Sequence, residues 1–237
     1  MFGATCSPFL LQKTIIYHLE HNLNPLAPQL IPHFYVDNFG KTYDNVDLML
    51  KEYPHINNLL LEANMPLQSW ISNSEEFNEG INVDCENTVV NVLGVNWNVT
   101  DDKLSIKSSQ YVCMNECVHS HSLTKRQVVS IVSSVFDPLG LVSPLWIKGK
   151  IFIQSLWKEN FSWDAPLPEN YCIEFKNICF SLSQVSTIEF PRFAIIPGNS
   201  HLHIFVDASK QAYGLAVYVV TPLSTNLLLS KARAFDS

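Results

Sequence analysis

Five residues restrict this chain more than any others: His33-Phe34-Tyr35-Val36-Asp37, followed by Asn38. Aromatic and β-branched residues, which suit a pleated strand, run straight into Asp-Asn, a pair that favours turns. The local reading is strand, tight turn, strand, with a carboxylate presented at the turn. Pro32 falls near the start of the first strand, where a missing N–H is tolerated, and Gly40 helps end the unit. Taken alone, such a pair is an ordinary surface turn. Its neighbours in sequence order change that reading.

Composition bounds the rest. The 237 residues suffice for one large or two smaller domains. With 47% hydrophobic and 16% charged residues the chain forms a core and is not disordered. A mean hydropathy of +0.08 suits a fragment whose apolar faces pack on further segments. Apolar runs such as Leu59 to Leu61 and Leu215 to Val220 fall far below the ~18 residues of a membrane span, so no membrane partner is expected. The six cysteines show no extracellular spacing, which points to a reducing, intracellular location. Cys113, Cys117, His119 and His121 cluster more tightly than paired zinc ligands do, so a plain loop is expected there.

Net charge is −7, which argues against nucleic acid, but the distribution is uneven. Residues 1–110 hold 13 acids and 5 bases. Residues 123–158 hold Lys125, Arg126, Lys148, Lys150 and Lys158 against the single acid Asp137. Either a solvated helix surface or a phosphate-binding face accounts for this island.

Along the chain, Ser7-Pro8 and Ser143-Pro144 read as an N-cap followed by proline at the first helical position. Val46 to Ala63 reads as a helix that Pro54 kinks or splits. Leu67 to Ile71 reads as a strand and Ser72 to Asn87 as a loop. Val89 to Trp97 and Lys103 to Ile106 read as a hairpin across Thr100 to Asp102. Thr124 and Gln127 form a capping box for a helix with Val128, Ile131, Val132, Val135 and Phe136 on one face, and Asp137-Pro138-Leu139-Gly140 stops it. The helix after Ser143 carries Leu145, Phe152 and Leu156 inward, and another covers Glu169 to Leu182. Pro191 to Asn199 reads as a linker, followed by strands at His201 to Val206 and Gly214 to Val220.

Seven motifs recur in a specific order. They are Phe2-Gly3; Ser7-Pro8-Phe9; Phe34-Tyr35-Val36-Asp37; Val92-Leu93-Gly94-Val95; Leu123-Thr124-Lys125-Arg126; Phe136 to Leu141 with Pro144; and Val206-Asp207-Ala208-Ser209 with Ala212-Tyr213-Gly214. The set resembles the polyprotein of BEL/Pao-type LTR retrotransposons, from mid reverse transcriptase into the start of ribonuclease H. Residues from about 45 to 200 also resemble the region labelled Pao retrotransposon peptidase (A17) in that family. No Asp-Thr/Ser-Gly turn is present, since Asp207-Ala208-Ser209 lacks the glycine, so aspartic protease chemistry is disfavoured.

The resemblance implies an α+β fold: a partial reverse transcriptase palm over 1–110, a helical thumb and connection over 111–190, and the first strands of a ribonuclease H-like domain over 191–237. It implies that Asp37 and Asp207 are catalytic metal ligands, with Asn38 where a second aspartate is usual. Polymerases clamp the attacking and leaving oxygens with two Mg²⁺ ions ~3.5–4 Å apart, held chiefly by carboxylates. The palm's early aspartate would precede Phe2, so each Mg²⁺ set is expected to be incomplete. Phe2, Gly3, Ser7, Pro8 and Tyr35 would approach template and primer, and Lys125, Arg126, Lys148 and Lys150 the duplex backbone. The implied partners are an RNA/DNA template-primer, a deoxynucleotide in the intact enzyme, and the rest of the polyprotein. A non-catalytic nucleic-acid-binding module or decayed remnant is the alternative. A palm without its first strands is expected to expose a sheet edge and to associate or dissolve poorly.

Overall fold

The structure, a computed structural model, describes residues 4–83, 88–106, 122–183, 188–193 and 198–235. Phe2, Gly3 and the cluster from Cys113 to His121 lie outside the described residues. The chain divides into two compact units, Met1–Thr88 and Val89–Ser237.

In the first unit, helix α1 spans Ser7–Glu20 and the short α2 spans Ala27–Leu30. A single 3₁₀ turn over Ile31–His33 leads into β1 (Phe34–Tyr35), which pairs with β2 (Asn38–Phe39). The expected first strand from Leu30 is therefore shortened. Pro28 and Pro32 sit at the second position of helical turns, where their locked φ is already correct. α1 also starts one residue earlier than the cap reading has it: Cys6 is the N-cap and Ser7 is the first helical residue.

α3 runs unbroken over Val46–Glu62, with Asn45 accepting from the Leu48 N–H at 2.9 Å. Pro54 neither splits nor ends it. The proline is exposed, so the Leu50 carbonyl that loses its partner lies on the solvent side. Residues 67–71 form no strand: no second strand offers a ladder, and Leu67 and Trp70 instead pack by side chain onto the core. Within the expected loop, Ser74 caps a short helix, α4 (Glu75–Gly80), through the Phe77 N–H. The core of this unit is Ile15, Leu19, Leu30, Phe34, Ile56 and Leu59, drawn from α1, α2, β1 and α3.

The second unit opens with three strands where two were expected: β3 (Val89–Val92), β4 (Val95–Asn98) and β5 (Lys103–Ser105). Leu93 and Gly94 both have positive φ, 49° and 87°, the conformation of a two-residue hairpin turn whose twist matches that of the strands. A β-carbon on Gly94 would lie 2.5 Å from the Phe136 ring, so only glycine fits beneath that ring. A fourth strand, β6 (Glu189–Pro191), pairs antiparallel with β5, so part of the expected linker is sheet. That long-range pairing places residues 89–106 in the second unit.

α5 (Lys125–Ser134) carries the capping box at Thr124 and Gln127. Val128, Ile131 and Val132 are buried, but Phe136 lies past the helix end and is 48% exposed. Asp137 accepts from the Leu141 and Val142 N–H groups at 2.8 and 2.9 Å, at the start of α6 (Ser143–Lys158). Ser143 is thus the first helical residue and not the cap. Trp146 is buried at the position where Leu145 was expected to point inward, and Leu145 is only partly buried against the same core. α7 spans Glu169–Ser183 and adds Cys172, Phe175 and Cys179 to this core. Gly149 lets α6 approach α5, because an added β-carbon would meet Val132 at 3.2 Å.

The last sheet is β7 (His201–Ala208), β8 (Ala212–Val220) and β9 (Thr225–Ala234), antiparallel in that order. It is joined to the loop between α5 and α6 at Ser230, and to α6 where the Gln154 side-chain amide donates to the Phe235 carbonyl. The Ser230 N–H donates to the Leu139 carbonyl at 2.8 Å, the Ser230 hydroxyl donates to the Gly140 carbonyl, and a β-carbon on Gly140 would strike the Ser230 carbonyl oxygen. Resemblance implied that Asp207 ends a buried strand. Here every residue of β7 is exposed, because the described residues place nothing on its outer edge.

Candidate nucleic-acid interface

The hairpin at Tyr35–Asn38 is the sharpest local feature of the first unit. Tyr35 pairs with Asn38 across a two-residue turn, Val36-Asp37. Val36 has φ of 57°, a region that β-branched residues rarely enter. Such a conformation costs on the order of 1–3 kcal/mol and persists only when its surroundings impose it. An aromatic chain imposes it here. Phe34 is buried and meets Phe39 at 5.0 Å between ring centroids, Phe39 meets Trp70 at 5.7 Å, and Trp70 meets Tyr53 at 5.0 Å. The Trp70 indole N–H donates to Asn57 Oδ1 at 3.0 Å, fixing that ring. The Gly40 N–H donates to the His33 carbonyl at 2.9 Å and closes the base of the hairpin.

The turn itself faces solvent. Tyr35, Asp37 and Asn38 are all exposed, and Asn38 Nδ2 donates to Asp37 Oδ1 at 3.1 Å. Sequence alone brings these three together, and the structure keeps them so. Nearby in sequence, Glu52 accepts from the Lys41 ammonium and from the Tyr43 hydroxyl, the latter at 2.8 Å. Burial pushes the Glu52 carboxyl up, but the two hydrogen bonds and the Lys41 charge outweigh it and hold the group below the usual range. Burial, and then the Glu52 carboxylate, push the Tyr43 hydroxyl well above its ordinary value. Ser7 and Pro8 form the first turn of α1, with Pro8 exposed.

The basic residues of the second unit separate into two kinds. Lys125 is only 7% exposed. Its ammonium lies 3.5 Å from the centroid of the Trp157 ring and 5.5 Å from that of Trp163, and donates to the Phe161 carbonyl at 3.3 Å. Aromatic faces stabilise a cation whose hydration has been removed. Arg126 forms a bidentate pair with Asp164 at 2.7 and 3.0 Å and lies over Trp163. The hydrogen bonds of that pair hold the Arg126 guanidinium above, and the Asp164 carboxyl below, its ordinary value. Lys148 and Lys150 are exposed on α6. Sequence reasoning missed Trp157, Trp163 and Asp164 as partners, and no periodicity or motif marks them.

Asp207 lies near the end of β7 opposite Gly214, exposed, with its Oδ1 accepting from the Ala208 N–H at 2.9 Å. A magnesium pair needs several converging oxygen ligands. Asp37 brings one carboxylate and an amide N–H turned toward it, and Asp207 brings one carboxylate. Among the described residues no group of three or more His, Cys, Asp or Glu side chains could hold a metal ion. The described donors therefore do not fit a two-metal centre.

Among the described residues no helix is long and apolar enough to cross a membrane. No curated protein matches the chain. The whole chain is similar in fold to a foamy viral protease-reverse transcriptase solved in complex with double-stranded DNA, with a TM-score of 0.54 and 14% identity. It spans 44% of that protein's length. A family model described as a Pao retrotransposon-like RNaseH-like domain, and not as a peptidase, matches residues 124–235. That stretch begins at the capping threonine of α5 and takes in the whole of β7, β8 and β9, so the similarity to the Pao retrotransposon-like RNaseH-like domain covers residues 124–235 of this chain.

Proposed function

We propose that this chain is a nucleic-acid-binding part of a reverse-transcribing retrotransposon polyprotein, of BEL/Pao type, and that it is not catalytic by itself. The observation that carries the reading is the strained turn at Val36-Asp37, with Asp37 exposed, held up by buried Phe34 and the partly buried rings of Phe39 and Trp70. Strain of this kind is retained where a side chain has to be presented in one place. In an intact palm, Asp37 would face the primer end and help to hold Mg²⁺, with Tyr35 against the terminal base pair and Asn38 supplying a neutral amide. The fold similarity to a protease-reverse transcriptase bound to double-stranded DNA supports this assignment. The intact enzyme would take deoxynucleotides and an RNA or DNA template inside the cell.

Binding by this chain rests on backbone electrostatics. Lys148 and Lys150 are exposed cations on one helix, whereas the Lys125 ammonium is enclosed by Trp157 and Trp163 and Arg126 is paired with Asp164, so the binding expected of those two falls to Lys148 and Lys150. Phosphate contacts release counterions, so affinity falls with salt at a slope of about −0.9 per contact on a duplex. Fluorescence anisotropy with a labelled RNA–DNA duplex at low and moderate salt tests this. Binding is expected, and Lys148→Glu with Lys150→Glu should weaken it and reduce the slope by about 2. Absence of binding at low salt would refute the reading, as would Mg²⁺-dependent primer extension by the purified chain.

A further inference from the structure

We propose that residues 136–141 form a stiff strut between the β3–β4 turn and β9, so that a displacement at either end is felt at the other. Each end is a contact without slack. At one end the Phe136 ring covers Gly94, where a β-carbon would meet ring atoms at 2.5 and 2.6 Å. At the other end the Ser230 N–H donates to the Leu139 carbonyl at 2.8 Å, and the Ser230 hydroxyl donates to the Gly140 carbonyl. A β-carbon on Gly140 would strike the Ser230 carbonyl oxygen. Both glycines have positive φ, 87° and 70°, so each end depends on a residue that no other type replaces without strain.

A strut transmits only if its middle is stiff. The Asp137 carboxylate accepts from the Leu141 and Val142 N–H groups at 2.8 and 2.9 Å, and the Asp137 carbonyl accepts from the Gly140 N–H at 3.2 Å. Pro138 has its φ locked by its ring. Leu141 and Val142 are buried, so the far end of the loop is seated in packed side chains. Packed contacts of this kind shift as a unit and do not deform continuously. The Gly140 carbonyl also accepts from the Ser143 N–H at 3.0 Å, which ties the strut to the first turn of α6.

The effect on binding rests on the nucleic-acid reading. Lys148 and Lys150 stand on α6, which starts directly from the strut, so a duplex held there acts on the β3–β4 turn and on β9 together. Such coupling is reciprocal, and a change at the turn or at β9 alters the hold on the duplex by the same factor. A second route exists, because β9 also passes close to β6, the strand at the opposite edge of the hairpin's sheet from β3. The role of the Phe136 ring separates the two routes.

Amide chemical shifts and hydrogen exchange of the whole isotope-labelled chain test the strut. Ser230→Ala removes the hydroxyl bond at one end. It is expected to shift the Gly94 amide and to speed exchange at Val95 between about twofold and thirtyfold, with α3 unchanged. In a Phe136→Leu background the same substitution should leave Gly94 unmoved. From the other end, Gly94→Ala pushes on the Phe136 ring and should shift the Ser230 amide. Asp137→Asn loosens the middle and should shift both ends, and it decides the question if Ser230→Ala does not fold. Changes confined to residues 137–142 and β9 would overturn the strut. So would an undiminished response at Gly94 without the Phe136 ring, since the signal would then pass through β6, and so would a uniform rise in exchange across the second unit. Titration with an RNA–DNA duplex tests the effect on binding. Joint shifts at Lys148, Gly94 and Ser230 are expected, with the Gly94 response lost in Phe136→Leu while binding persists. Binding that moves Lys148 alone would overturn the coupling to the duplex. Absence of binding would overturn the nucleic-acid reading, and the variants would still decide the strut.

Discussion

Gly140 shows how much one residue can decide. It has φ of 70°, and a β-carbon there would sit 1.7 Å from the Ser230 carbonyl oxygen, which belongs to backbone that cannot swing away. Gly140→Ala is expected to destabilise the second unit by about 2–4 kcal/mol, read as a lower urea midpoint. Glu52 acts by charge. Its carboxyl titrates lower folded than unfolded, so the stability it supplies is present above the ordinary carboxylate value of about 4.5 and is lost as pH falls through its depressed value. Glu52→Gln should therefore lower stability at pH 7 and flatten the part of the acid unfolding curve below about pH 4.5 in the first unit. Asp37 and Asn38 were legible as a turn pair from their chemistry alone. The positive φ at Val36 was not, because it arises from the rings packed under the hairpin.

At the scale of elements, local signals succeeded where the partners are local. The capping box at Thr124 and Gln127, and the helix it starts, depend on groups three residues apart. The same holds for β8, whose alternation and turn residues were readable. Failures came where a distant partner decides. Residues 67–71 look like a strand and have no strand beside them among the described residues, whereas Pro191, read as the start of a linker, ends the strand Glu189–Pro191 that pairs with β5. Arg192 holds that pairing: its guanidinium binds Asp102 at 2.5 and 2.9 Å, and its N–H donates to the Asp102 carbonyl at 3.0 Å. Trp97 Nε1 donates to the same carboxylate at 2.9 Å. Arg192→Ala is expected to cost about 1–3 kcal/mol and to raise hydrogen exchange along β5. Lys125 belongs to the same class. Lys125→Met should lower stability by about 1–2 kcal/mol, since it removes the cation between two indoles and the hydrogen bond to Phe161.

For the molecule as a whole, two compact units with separate cores unfold as more than one cooperative block. Scanning calorimetry of the full chain should give a calorimetric enthalpy larger than the van't Hoff enthalpy, and equality of the two would refute that division. By itself the sequence determined the order of its motifs, the capping box that opens the helix after Thr124, the turn carrying Asp37 and the charge island, because each depends on neighbours in the chain or on residue type alone. Only the tertiary structure decided that Lys125 is enclosed by tryptophans, that Arg126 is paired, and that residues 89–106 share a sheet with 189–191. Those outcomes depend on which surfaces meet after distant segments pack, and burial, pairing and backbone strain are properties of that meeting.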